Sequence, residues 1–150
     1  MGRNLITQFN YFDTMARAQK GYARLLEPIC KKWELTRNEL DVMLFLANNP
    51  GYDRAADIVS RRGLAKSHVS LSVGNLESRG LLKRRMDPED RRTVHLELTE
   101  QALEIARQGR EAQIGFFSSV YAGLTPEEVE TWQTIMIKLV SNIRDMNIAL

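Results

Sequence analysis

A chain of 150 residues and 17.2 kDa suits one domain, or one domain with a dimerisation extension. With 43% apolar and 27% charged residues and a net charge of +2 it can bury a core, which excludes a disordered chain. Its longest apolar run, Val42-Met43-Leu44-Phe45-Leu46-Ala47, falls far short of the roughly 20 residues of a membrane span; Met1-Gly2-Arg3-Asn4-Leu5 lacks a secretory apolar region; and one cysteine permits neither an internal disulfide nor a zinc-binding Cys-x-x-Cys. The expected protein is reduced, soluble and cytoplasmic, with no membrane partner.

Leu5, Phe9, Phe12, Ala16, Ala23, Leu26, Cys30 and Trp33 recur every three to four residues, which predicts a long first helix ending near Lys32-Trp33. Thr36-Arg37-Asn38-Glu39 has the form of a capping box. The helix it opens carries Leu40, Met43, Leu44 and Ala47 and stops at Asn48-Asn49-Pro50-Gly51. A short helix over 54–62 follows, with Ala55, Ile58 and Val59 inward and Gly63 as its break. Another is predicted over 66–78, with Val69, Val73 and Leu76 inward and Gly80 as its end. Two short helices joined by a tight glycine-bearing turn make a helix-turn-helix.

The period then changes from helical to two. Val94, Leu96 and Leu98 alternate with Thr93, His95 and Glu97, a half-buried strand that can pair with Leu82-Lys83-Arg84-Arg85-Met86 across the loop 87–92. Thr99 caps the next predicted helix, which runs to about Tyr121 before Gly123. Thr125-Pro126-Glu127-Glu128 starts the last one. Val129, Trp132, Met136, Leu139, Ile143, Met146 and Leu150 step by three and four, a heptad seam that needs a partner to bury it. Self-association through this helix is the expectation.

Charge is uneven along the chain. Between Arg54 and His95 there are ten basic residues, mostly arginine, against five acidic ones, while the rest of the chain is net acidic. A basic middle between acidic flanks points to a polyanion met by one face. The helix over 66–78 turns Ser67, His68, Ser70, Leu71, Ser72, Gly74 and Asn75 outward to varying degrees. These are mediocre helix formers but suit close approach to base edges and phosphates. Leu71 lies on the far side from Val69, where it could touch a thymine methyl. On the ribbon, an arginine at the hairpin tip can enter a narrow minor groove, and the Asp90 carboxylate could fork-bond its guanidinium.

This order and spacing resemble the MarR family of winged helix-turn-helix transcriptional regulators. The resemblance is carried by Lys66-Ser67-His68-Val69-Ser70, by Leu76-Glu77-Ser78-Arg79-Gly80-Leu81-Leu82, by Asp87-Pro88-Glu89-Asp90-Arg91-Arg92 and by Val94-His95-Leu96-Glu97-Leu98-Thr99. It implies a mainly α fold of about six helices with a two-stranded β-wing, divided into a DNA-binding lobe over 35–98 and a helical dimerisation stem over 1–34 and 99–150. It implies a homodimer whose first and last helices intertwine, through Leu5, Phe9 and Phe12 at one end and the seam residues Val129 to Met146 at the other. Double-stranded DNA would be met by Lys66, Ser67, His68, Ser70, Leu71 and Asn75 in the major groove. Arg84, Arg91 and Arg92 of the wing would follow, with Asp90 as the carboxylate partner of Arg92. The implied activity is sequence-specific repression at a pseudo-palindromic operator in the nucleoid, relieved by a small aromatic or phenolic effector. Leu71 stands where the family often has Arg, and Ala65 where a capping Ser or Thr is common, so the operator sequence does not carry over.

The effector pocket would lie at the junction of stem and lobe, with Phe9, Phe12, Tyr22 and Phe45 as candidate walls, though each also reads as plain core. Cys30, on the apolar stripe beside Lys31 and Lys32, reads as an inert buried thiol rather than a redox sensor. His68 and His95 have no ligand-like spacing, and no cofactor or metal is expected. The sequence holds no Gly-rich phosphate loop, no H-E-x-x-H, no G-x-S-x-G and no nucleophile-base pair, so catalytic residues and an enzyme are not expected. The other reading is a protein-interaction or non-specific nucleic-acid-binding module on the same dimeric scaffold.

Overall fold

A computed structural model of the chain describes residues 11–146. The elements run α1 (Tyr11–Trp33), α2 (Arg37–Asn48), α3 (Ala55–Arg62), α4 (Lys66–Ser78), β1 (Leu82–Met86), β2 (Val94–Leu98), α5 (Glu100–Val120) and α6 (Pro126–Asp145). The six helices and the antiparallel ribbon follow the predicted order. Leu5, Phe9 and Leu150 lie outside the described residues. None of the described helices is long and apolar enough to cross a membrane.

Local chemistry sets the boundaries. Thr36 Oγ1 accepts the Glu39 N–H while Glu39 Oε2 accepts the Thr36 N–H, closing the capping box that starts α2. Thr125 and Glu128 do the same for α6, with Pro126 just inside. Thr99 Oγ1 accepts the Ala102 N–H at 3.4 Å at the start of α5. At the end of α4, Gly80 adopts φ +69°, and the Gly80 and Leu81 N–H groups return to the carbonyls of Glu77 and Leu76.

The same wrap ends α1, but there Glu34 takes the left-handed position, at φ +52°. An L-side chain is strained in that region. The Arg79 guanidinium holds it in place, donating to Glu34 O at 2.8 Å and to Trp33 O at 2.6 Å. Each residue of the Leu76-Glu77-Ser78-Arg79-Gly80-Leu81 stretch other than Ser78 thus has a tertiary or turn-forming task. Leu76 and Leu81 are core, Glu77 holds Arg84, Arg79 closes α1 and Gly80 turns the chain.

The described residues up to Ile114 form one compact unit, and those from Gly115 form another. The first unit has the core. Leu26 of α1, Leu40, Met43 and Leu44 of α2, Ile58, Val69, Leu76, Leu82, Leu96 and Ile105 are buried together. The β1–β2 register pairs Leu82 with Leu98, Arg84 with Leu96 and Met86 with Val94, placing Leu82 and Leu96 against the helices. Gly109 of α5 lets that helix approach α2 closely: a Cβ there would fall 2.7 Å from Leu44 Cδ2.

Two inward-outward assignments change. Ala55, expected inward, is exposed, because Asp57 and Ile58 take the buried face of α3. Ser72, expected outward, is only 4% exposed. It follows the i, i+3 row from Val69, so the helical repeat carries it into the core side by side with Val73. Buried charge is fully partnered. Asp41 accepts a hydrogen bond from Arg37 at 3.0 Å and forms an ion pair with Arg62 at 3.3 Å, and no described buried side-chain polar atom lacks a hydrogen bond.

In the second unit, Phe117 stacks on Tyr121, whose ring meets Trp132 edge-on at 5.6 Å. No described residue of α6 is buried.

Candidate nucleic-acid interface

The turn from α3 into α4 is set by Gly63, at φ +74°, whose N–H returns to Val59 O. Leu64 and Ala65 then lead into α4. Ala65 offers no side-chain cap, as its residue type dictates, so the first N–H groups of α4 are unpaired by any cap side chain. Val69, Ser72, Val73 and Leu76 anchor the helix inward. Lys66, Ser67, His68, Ser70 and Leu71 stand outward, Leu71 at 65% exposure. Gly74 keeps this surface low: nothing lies within 4 Å of where its Cβ would be. Asn75 is exposed, but its Nδ2 donates to Glu39 Oε1 at 3.0 Å, which ties the α4 face to the cap of α2.

The ribbon carries the other candidates. Arg84 donates through Nε to Glu77 Oε2 at 2.9 Å. It also joins Lys66 and Ser70 in lining a cleft of about 410 Å³ whose floor is Ala55, Ala56, Val59, Val73 and Leu96. The turn beyond β1 is built by two aspartates. Asp87 Oδ1 accepts the N–H groups of Glu89 and Asp90, at 2.8 and 3.1 Å. Asp90 Oδ1 accepts the backbone N–H of Arg92 at 3.0 Å, and its Oδ2 accepts the Thr93 hydroxyl at 3.0 Å. The expected fork from Asp90 to a wing guanidinium is therefore replaced by turn bonds. A short carboxylate two residues upstream reaches the local backbone more readily than the end of a long arginine. Arg91 and Arg92 are exposed and make no ion pair among the described residues.

Three features escaped sequence reasoning. Arg79 belongs to the closure of α1, as described above. Arg61 stacks on the Tyr52 ring at 3.7 Å, outside the α4 face. His95 places one ring nitrogen on Asp53 and the other on Asp87. Its partners lie 42 and 8 residues away, so no sequence spacing announces them.

Of the candidate effector walls, Phe45 is core and Phe12 is 78% exposed. The Tyr22 hydroxyl accepts from Gln113 Nε2 at 2.6 Å. Cys30 is half-buried, and loss of water pushes its thiol pKa up, away from the reactive thiolate.

A helix-turn-helix backed by a two-stranded ribbon, with the second short helix turned outward, defines a winged helix-turn-helix protein. Residues 33–93 match the MarR family model, the family whose motifs this segment resembles. Among curated proteins, the HTH-type transcriptional regulator YfiV of Bacillus subtilis is 34% identical over 76 residues, 51% of this chain and 47% of that protein. The transcriptional repressor MprA of Escherichia coli is 30% identical over 84 residues, 56% of this chain and 48% of that protein. The chain thus aligns with about half the length of these curated relatives. Among solved structures, the S. aureus MepR–DNA complex superposes with a TM-score of 0.72 at 18% identity, covering 94% of this chain and 99% of that one. That likeness is one of fold.

Proposed function

We propose that this chain is a sequence-specific DNA-binding transcriptional regulator that acts as a homodimer on a pseudo-palindromic operator. One observation carries the reading. α4 is held by apolar residues on one side and offers Lys66, Ser67, His68, Ser70 and Leu71 on the other, with Arg91 and Arg92 exposed on the ribbon that follows it. The family match over these same residues and the DNA-bound MepR structure of the same fold support it.

The mechanism follows from the parts. Lys66 and the wing arginines neutralise phosphates, which supplies much of the affinity and makes it fall with salt. Ser67, His68, Ser70 and Leu71 meet base edges in the major groove. Arg92 enters the minor groove, where its positive charge meets concentrated negative potential. Two copies would set their α4 helices about one duplex turn apart, ~34 Å, which is what makes the operator palindromic. The apolar residues left open on α6 are the surface such a pairing would cover. In this reading the lobe over 35–98 reads DNA, while 1–34 and 99–150 form the stem. Repression is favoured by the relative MprA, named a transcriptional repressor.

A small amphipathic acid has a candidate seat in the cleft behind α4. Its walls are mostly apolar, and Lys66 and Arg84 would neutralise a carboxylate. Such a ligand would compete with phosphate for Lys66 and so weaken DNA binding.

Selection of bound duplexes from a random pool, followed by gel-shift titration against scrambled competitor, tests the central claim. A recovered palindrome that scrambled duplex fails to displace supports it. Equal displacement by scrambled duplex overturns sequence specificity and favours a non-specific binding module. Adding aromatic carboxylates to the same titration tests the cleft.

A further inference from the structure

One cluster of titratable groups has no part in the DNA-reading surface described above. His95 lies on β2 with its side chain about one-fifth exposed. Its Nδ1 is 2.7 Å from Asp53 Oδ1, and its Nε2 is 3.0 Å from Asp87 Oδ2. A carboxylate oxygen only accepts hydrogen bonds, and a neutral imidazole has a single N–H. The neutral ring would turn a lone pair on one of the two carboxylates. Only the imidazolium satisfies both.

The two carboxylates belong to different parts of the molecule. Asp53 sits in the connection between α2 and α3, and its carbonyl also accepts the Leu96 N–H at 2.7 Å. Asp87 opens the wing turn, and its other oxygen holds the N–H groups of Glu89 and Asp90. The next links are Asp90 to the Arg92 N–H and to the Thr93 hydroxyl. A short chain of bonds therefore runs from the body of the lobe through His95 to the backbone of Arg92. The remaining charged neighbour is Arg85, directly across the ribbon from His95. It opposes protonation, but its own charge is held by Glu97 at 2.5 Å.

We propose that His95 is a positioning residue whose protonation clamps the wing turn, with Arg91 and Arg92 on it, to the connection between α2 and α3, so that duplex affinity falls as the imidazolium loses its proton. The effect on DNA rests on the function proposed above; the clamp itself does not. Its direction with pH follows from the neighbours. Asp87, then Asp53, hold the His95 pKa above its ordinary value, against the opposing effects of burial and Arg85. A raised folded-state pKa means the link is complete below about pH 6.5 and is lost as pH rises through the raised value. Hydrogen bonds from His95 and from the turn hold Asp87 below the usual carboxylate range, so the acidic half of the link survives well under neutrality.

The test uses the full chain at pH 6 and pH 8. Nitrogen-15 NMR follows the His95 ring, and hydrogen exchange, corrected for its intrinsic pH dependence, follows the amides of Glu89, Asp90 and Arg92. Both ring nitrogens should carry protons at pH 6, with a midpoint above that of a free histidine. The three amides should be more protected at pH 6 than at pH 8, and His95→Gln should erase that difference. If His95→Gln does not fold, Asp53→Asn serves: it should lower the His95 midpoint and shrink the protection. Equal protection at both pH values in the native chain, or a His95 midpoint at or below the free value, overturns the clamp.

A duplex recovered from the random pool, read by fluorescence anisotropy at the same pH values, tests the consequence. Affinity should fall roughly fivefold from pH 6 to pH 8 in the native chain beyond any change in His95→Gln. An identical pH response in both overturns the link to DNA. Failure to recover any duplex overturns the proposed function, while the exchange data still decide the clamp.

Discussion

The described residues up to Ile114 bury a contiguous apolar core; beyond it, no described residue of α6 is buried. Leu40, Met43, Ile58 and Leu76 are fully buried in the first unit, whereas Ile137 and Ile143 in the second are 72% and 57% exposed. Apolar content alone does not explain this, since α2 carries the run Val42 to Ala47 and α6 carries Val129, Trp132, Ile135, Met136, Ile137, Leu139, Val140 and Ile143. The difference lies in what each helix meets. α2 is packed by α1, α3, α4 and β2. The apolar face of α6 is open, and the proposed pairing of two copies would cover it. In the proposed homodimer the first unit would keep its burial, and the second would change it on association.

The largest break in that comparison comes from α6. Leu139→Glu with Ile143→Glu would appear four times in a symmetric pair, and each loses roughly 1.5–3 kcal/mol of burial there. Sedimentation should show the native chain as a dimer at micromolar concentration and the variant as a monomer with an intact helical signature. A monomeric native chain would remove the homodimer from the proposed function.

Leu76→Ala probes the opposite case. A fully buried leucine lost from a packed core costs about 3–4 kcal/mol. The fall in its thermal midpoint should be similar at every protein concentration, whereas the α6 variant, as a monomer, should lose the concentration dependence of the native midpoint. Next in size, Arg92→Ala should weaken binding to the selected duplex by about 1–3 kcal/mol without moving the thermal midpoint, because the side chain is exposed and holds nothing in the fold. An unchanged gel-shift midpoint would take Arg92 out of the interface.

The smallest effects sharpen the contrast between holding a shape and presenting a surface. Gly74→Ala, in the open interior of α4, should stabilise the lobe by about 0.5–1 kcal/mol in a denaturant titration yet weaken duplex binding, since the new methyl projects where the helix approaches DNA. Glu34→Gly should stabilise by a comparable amount by relieving the left-handed backbone at the end of α1, with duplex affinity unchanged.

How much was legible in the sequence depended on the range of the interaction. Hydrophobic period and caps located α2, α4, both strands and α6, because these signals act within one or two turns and are written in adjacent residues. Thr36-Arg37-Asn38-Glu39 is a capping box wherever the chain goes. The outward face of α4 was readable for the same reason, apart from Ser72, whose small hydroxyl gave the period no apolar mark. Other features were out of reach. Asp90 turned to its own backbone instead of a guanidinium, a choice between two nearby partners that spacing cannot rank.

The amino-acid order by itself settled which segments coil, which pair as a ribbon and where each stops, because backbone propensity and capping are local. Folding alone decided that Arg79 would close a helix 45 residues away, that Asn75 would lean on Glu39, and that His95 would stand between Asp53 and Asp87. Those partners are joined by packing, and a hydrogen bond has no strength until the chain has brought its two ends within about 3 Å.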